Sequence, residues 1–397
     1  MTAATEQESV PGPTTAPPRT VPQARLGRWT GNQLDPRRNS LNLVRLVLAS
    51  LVLVAHAYYI SGVGVGPHVD GENLGGWAVF GFFAVSGYLI TASRWSNSLG
   101  TYLLHRIARI FPAFLVCLVV MVMVFAPIGY ASVHGSLDGY LTSGPTTPAN
   151  FVFSNSMLRM SAYDIAGTPG EVPYPGAWNG SLWTLYYEFL CYLIVAVLAL
   201  VGWVRRSPWG LAAAWLASVA GHALWAPVVA PLFGGNDDLR LLLKLLPLFL
   251  GGALVQVLRH RLPLHWAGAA LSTAAVLGSV WLLNGWGAQL TAPFLAYLMI
   301  WVGSVVPCPA VVRRHDISYG VYIYAFPVQQ ILVLTGIHER GLLLYDLVAL
   351  ACTVPLAIAS WLLVERPVMR RARGGPAAAP PVPAAQTVQT TPAVQPA

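Results

Sequence analysis

Ten apolar stretches, each close to the ~20 residues a helix needs to cross hydrocarbon, alternate with short segments that hold most of the chain's charge. They run 41–61, 77–93, 106–127, 181–202, 209–230, 240–258, 264–283, 289–306, 317–336 and 342–363. Charged residues make up only 10% of the chain and hydrophobic residues 55%, whereas soluble domains carry about 25% charged residues. So much apolar chain leaves too little polar surface to face water, which excludes a soluble domain. The expected class is an all-α polytopic membrane protein, because a helix closes its own backbone hydrogen bonds inside lipid. Pro247 and Pro355 fall inside two stretches, where neighbouring helices can satisfy the freed carbonyls.

The basic residues set the expected orientation. With the N-terminus inside, eighteen of the 23 Lys and Arg fall in inside segments or the tails, and only Arg159, Arg240, Lys244 and Arg340 fall outside. Every short inside connection keeps an arginine, as the positive-inside rule requires. The reading is ten spans with both termini cytoplasmic, in a cell inner or plasma membrane. A net charge of +8 spread between spans does not suggest nucleic acid, which needs a basic soluble face. Segments 1–38 and 369–397, rich in Pro, Ala, Thr and Gln, read as disordered tails around a membrane domain at 39–368. The N-terminus lacks the apolar core of a signal peptide. The outer segment 128–180 is long and polar, and structureless loops of that length are usually functional. Four cysteines without CxxC or Cys/His spacing give no reason to expect a metal or a disulfide framework.

Ionisable groups within the spans are costly and therefore informative. The first span carries Arg45 and His56. Eleven residues at 100° each end about 20° past three turns, so the two side chains share a helix face about 16 Å apart along the axis. That geometry suits a ligand with an anionic end at the cytoplasmic face and a reactive end deeper in, and an acyl-coenzyme A is such a molecule. Guanidinium matches phosphate through its fork of donors, and neutral imidazole can accept a proton from a hydroxyl. Snorkelling of Arg45 to headgroups and an interhelical hydrogen bond from His56 explain the pair equally well.

Other segments carry similar double readings. The stretch NLGGWAVFGFFAVSGYLI, 73–90, leaves narrow Gly and Ser surfaces suited to helix packing or to a slim ligand. Arg106 and Arg109 stand three residues apart at the start of the third span, placed for phosphate or for simple anchoring. Glu188 in SLWTLYYEF has no charged neighbour on its own helix, so it needs a partner elsewhere or a proton. It either orients His56 or links helices. Lys244, His222 and Asp346 read as satisfied structural groups, and His68, His134 and His338 belong to outer loops.

Taken together, these segments resemble acyltransferase family 3 of membrane O-acyltransferases. Arg45 and His56 match its R-x10-H element, and residues 75–90 resemble its Gly-rich stretch with FF and SG. RIARIFPAF resembles its Arg-x-x-Arg element, and SLWTLYYEF its Ser-Leu-Trp element ending in Glu. ISYGVYIYAFPV at 317–328 and VERP at 364–367 resemble its two late elements. The resemblance implies transfer of a short acyl group, by default acetyl from acetyl-CoA, to a hydroxyl of a carbohydrate or glycosylated acceptor. It implies His56 as general base with Glu188 in the catalytic set, and Arg45, Arg106 and Arg109 on the CoA end. Ser86 and Tyr319 match motif positions on the substrate side. No permanently bound cofactor and no metal is implied; lipid and acyl-CoA are the expected partners.

Two departures stand out. Ala325 occupies a position where family members often carry His, so no second histidine is available there. About thirty residues follow the last span, too few for the hydrolase-like domain that some members carry, so the acyl group passes directly or through a separate protein. The rival reading is a secondary transporter or exporter. Internal repeats with matched broken helices would favour it, and the Arg/His helix has no counterpart in the second half.

Overall fold

The computed structural model describes residues 33–374 apart from 37 and 284. Most of the expected tail residues therefore lie outside the described part. The principal helices are α1 (Leu41–Ile60), α2 (Leu74–Ser96), α3 (Leu99–His134), α4 (Pro148–Asn155), α5 (Thr184–Leu198) and α6 (Pro208–Ala223). They continue with α7 (Trp225–Phe233), α8 (Asp237–Leu258), α9 (Trp266–Leu282), α10 (Ala292–Val305), α11 (Ser318–Leu334) and α12 (Leu342–Ala372). Side chains at the N-caps decide where several begin: Asn73 accepts from Gly76, Ser98 from Thr101 and Asn236 from Leu239, satisfying amides that the first turn leaves free.

Each of the ten expected spans coincides with a helix, but not all have the length and apolarity of a crossing. Five do: α1, α2, α3, α8 and α12. A sixth is possible only if α6 and α7 count together, and they bend by 79° at Leu224. Helices α5, α9 and α10 are apolar but shorter. The sequence windows run longer than these helices because they include the capping turns at either end. Exposed apolar side chains such as Met123, Trp281 and Leu363 give the bundle a lipid-compatible surface.

In lipid, apolar side chains gain little by meeting one another, so close backbone packing has to supply the cohesion. The glycines of α2 do this. A Cβ at Gly87 would fall on the carbonyl of Phe249, and one at Gly252 would fall on the carbonyl of Ala84. The backbones of α2 and α8 thus meet directly. Helix α1 lies against both α2 and α11, and α12 flanks α11.

The outer segments are built rather than loose. A hairpin pairs His68–Val69 with Glu72–Asn73 across Asp70-Gly71, whose φ values of 55° and 77° are those of a type I′ turn. The expected loop 128–180 begins with the end of α3 and includes α4. Asn155 is fully buried, donates to Ala162 O and accepts from the amides of Ser161 and Ala162. Trp178 is also fully buried and donates to Thr168 Oγ1 at 3.1 Å. Gln330 of α11 donates to the carbonyls of Tyr174 and Ala177. The segment is clamped to the bundle.

Candidate functional site

At the end of the bundle where α1 starts, three helices bring charge together. Arg45 and Arg109 both reach Oδ2 of Asp316, at 2.5 and 2.7 Å, and Arg109 also donates to Glu365 Oε2 at 2.8 Å. Ser318 donates to the other oxygen of Asp316 through its hydroxyl and its amide. Asp316 occupies the connection ahead of α11. Burial pushes its carboxyl pKa up, but the two arginines and Ser318 outweigh burial and hold it at about 2.

Two guanidinium groups against two carboxylates leave this cluster close to neutral. Arg106, three residues before Arg109, forms no ion pair among the described residues; its guanidinium lies 5.9 Å from the ring centres of both Tyr102 and Tyr192. Arg106 and Arg109 therefore differ in kind although sequence spacing treats them alike. Arg45, Arg106 and Arg109 line one cavity of about 290 Å³, together with His105 and Arg373.

His56 lies three turns further along α1 and is 8% exposed. Its Nδ1 is 3.4 Å from Ser181 Oγ, and its ring stands edge-on to Tyr59 and Phe326. The placement of Ser181 follows from a break in α11. Pro327 lacks an amide hydrogen for the carbonyl of Ile323 four residues earlier. Asn179 donates to that carbonyl at 2.8 Å instead, and its own oxygen accepts from the Ser181 amide. Tyr322 donates to Ser181 O at 2.9 Å. His56 and Ser181 share a chamber of about 180 Å³ with Trp183, Tyr322 and the Glu72–Lys244 ion pair. A hydroxyl entering it would lie beside an imidazole whose Nε2 has no hydrogen-bond partner among the described residues.

A small pocket of about 30 Å³, the passage, shares lining residues with both cavities. Arg45 lines both the passage and the basic cavity, while Val79, Thr184 and Tyr322 line both the passage and the His56 chamber. The shared face of Arg45 and His56 is the face along which these spaces line up.

Glu188 belongs to the passage, not to His56. It accepts from Ser86 Oγ and Tyr192 OH, each at 2.7 Å. Of the two sequence alternatives, the helix link is the one formed. Ser86 stands behind Glu188 rather than in the passage wall, whereas Tyr319 lines the passage and donates to Ile110 O. Ala325 packs with Leu53 and Ala349 away from the chamber. Lys244, expected to be purely structural, lines the chamber; His222 has Gly285 O as partner at 3.2 Å. Asp346 departs from expectation, since its Oδ1 has no hydrogen-bond partner among the described residues. Sequence reasoning missed Asp316, Glu365 and Ser181. Asp316 adjoins one late motif, Glu365 is the Glu of VERP and Ser181 is the Ser of the Ser-Leu-Trp element, so the motifs contained them without singling them out.

Comparison with known proteins places the chain in a family. A family model for an acyltransferase domain matches residues 38–362. The chain belongs to acyltransferase family 3. It is similar to the O-acetyl transferase of Shigella phage Sf6, 30% identical over 361 residues that cover 84% of this chain and 97% of the relative. It is also similar to Nodulation protein 10 of Rhizobium leguminosarum bv. viciae, 30% identical over 365 residues covering 84% and 94%. No solved structure matches it. This family 3 protein is an acyltransferase, and its apolar helices make it a membrane protein.

Proposed function

We propose that this enzyme transfers a short acyl group, acetyl in the first instance, from acyl-CoA to a hydroxyl of a carbohydrate or glycosylated acceptor. The observation that carries the reading is the series of neighbouring cavities, sharing lining residues, from the arginines to His56. Acyl-CoA enters at the basic cavity with its phosphates toward Arg106, Arg45 and Arg109. The slim pantetheine arm follows the passage past Tyr319 and Glu188, and the thioester reaches the His56 chamber. The acceptor arrives from the opposite end, where a chamber of about 180 Å³ leaves room for part of one sugar ring.

His56 removes the acceptor proton as the hydroxyl oxygen attacks the thioester carbonyl. The C–S bond then breaks, and the imidazolium returns the proton to the leaving thiolate. Glu188 and Ser86 act on the shape of the passage and not on the imidazole. In this route the acceptor oxygen takes the acyl group directly.

We further propose ten crossings with both termini cytoplasmic. The support is that the ends of α8 and α10 and the start of α1 gather with Arg259 and Arg313, while the hairpin and the 135–180 segment gather at the other end. The short helices α5, α9, α10 and α11 then cross by tilting little and using their flanking turns.

The test is release of CoA thiol by purified protein from acyl-CoAs of increasing chain length, with a panel of sugar acceptors, beside His56→Ala. Release that depends on His56 is expected. Undiminished release by a folded His56→Ala protein would overturn the assignment of the base.

A further inference from the structure

The basic cavity is too small for a whole CoA headgroup, and two of its arginines already have carboxylate partners. A second cavity of about 630 Å³ adjoins it at the same end of the bundle, and Asn42, Leu89 and Arg373 line both. That volume falls in the range typical of small-molecule sites. Its wall carries Arg259 from the end of α8, Arg313 from the turn after α10 and Arg373 from the end of α12. None of the three forms an ion pair among the described residues, and none of the residues described as lining the cavity is a carboxylate. The contrast with Arg45 and Arg109 is chemical: those two are neutralised by carboxylates, whereas these three arginines are not.

The same wall holds features suited to a planar base. Tyr88 lines the cavity, and so does Gln256, which is 6% exposed and whose amide oxygen has no hydrogen-bond partner among the described residues. An amide with unused hydrogen-bonding capacity is costly to bury, and a heterocycle with an exocyclic amino group would use it.

We infer that this cavity receives the 3′-phosphorylated adenosine of the acyl donor, with Arg259, Arg313 and Arg373 holding the 3′-phosphate. The inference rests on the acyl-CoA reading and adds a requirement to it. The pyrophosphate lies past the junction marked by Arg373 and Asn42, in the smaller cavity toward Arg106, and the pantetheine arm continues past Arg45. The protein therefore discriminates a nucleotide thiol that carries the 3′-phosphate from one that does not. Guanidinium–phosphate hydrogen bonds are charge-assisted and directional, so the preference is about tenfold or more, as loss of one such contact implies.

The experiment measures equilibrium binding of CoA and of 3′-dephospho-CoA to the purified full-length protein, which needs no acceptor. Wild type is expected to bind CoA at least about tenfold more tightly. Arg259→Gln and Arg313→Gln should each weaken CoA while leaving 3′-dephospho-CoA nearly unchanged, so that the ratio falls toward one. Equal affinity of wild type for the two nucleotides would overturn the subsite and leave the acyl-CoA reading standing. Variants that weaken both nucleotides equally would also overturn it, since the arginines would then serve lipid headgroups or the fold. Failure of wild type to bind either nucleotide would remove the acyl-CoA reading itself, and the subsite with it.

Discussion

The side-chain amide of Asn179 donates to the carbonyl of Ile323, the acceptor that Pro327 leaves unused in α11. One proline thus creates the docking point for the segment that carries Ser181 to His56. Asn179→Ala should leave that buried carbonyl with only the weak Cys117 thiol donor at 3.4 Å, at a cost of about 1 kcal/mol, and should lower turnover by loosening Ser181. Adding Pro327→Ala restores a backbone amide opposite Ile323. Thermal unfolding of the double variant in detergent should recover most of the stability while CoA release stays low. Recovery of both together would mean that Asn179 acts only through stability.

Direct backbone contact between α2 and α8 predicts an asymmetry among helix glycines. Gly87→Ala places a methyl group on the carbonyl of Phe249, so the helices must separate and the folded yield should collapse. Gly278 lies in α9 with open space around it, and Gly278→Ala should gain about 0.5–1 kcal/mol from helix propensity. Fluorescence size-exclusion profiles and melting temperatures of the two variants check this. Comparable melting of Gly87→Ala and wild type would show that the helices do not pack as described.

Much of this was legible in the chain because it is local. Apolar period and length located every principal helix except α4, which lies in the stretch read as an outer loop, and eleven residues at 100° placed Arg45 and His56 on one face. Partnerships between helices were not legible. Whether Glu188 meets His56 or Ser86 depends on how α2 and α5 are rotated, which no single-helix pattern contains. Asp316 lies 271 positions from Arg45, and nothing near either residue announces the other. The helix link through Gly87 was legible only as a tendency, since small residues suit ligands and neighbouring helices alike.

Asp316 supplies a prediction about pH. Its carboxyl is held at about 2 by Arg45, Arg109 and Ser318 against the opposing effect of burial. A depressed folded value means the ionised form is favoured by folding. Its contribution is complete above the unfolded value near ~3.9 and disappears as pH falls toward 2. Asp316→Asn should therefore cost about 3 kcal/mol across the neutral range, because two partly buried guanidinium groups lose a shared partner. Denaturation midpoints of wild type and variant should differ by a constant amount from pH 5 to 8. A gap that narrows steadily over that interval would contradict the depressed value.

The separation of Glu188 from His56 makes a kinetic prediction that stability measurements cannot mimic. A carboxylate paired with an imidazole raises the imidazole's proton affinity, so deleting such a partner shifts the acid limb of the pH–rate profile to lower pH. Glu188 instead accepts from Ser86 and Tyr192. Glu188→Gln should then lower turnover and raise the donor KM through the passage, with the acid limb unmoved. Ser181→Ala touches the group beside Nδ1 and should reduce kcat by roughly tenfold or more, as loss of an orienting contact to a general base does. Ser181→Thr, which keeps a hydroxyl there, should recover part of the rate. A downward shift of the acid limb by a full pH unit in Glu188→Gln would show that the carboxylate swings to His56 during turnover, and the passage role would have to be given up.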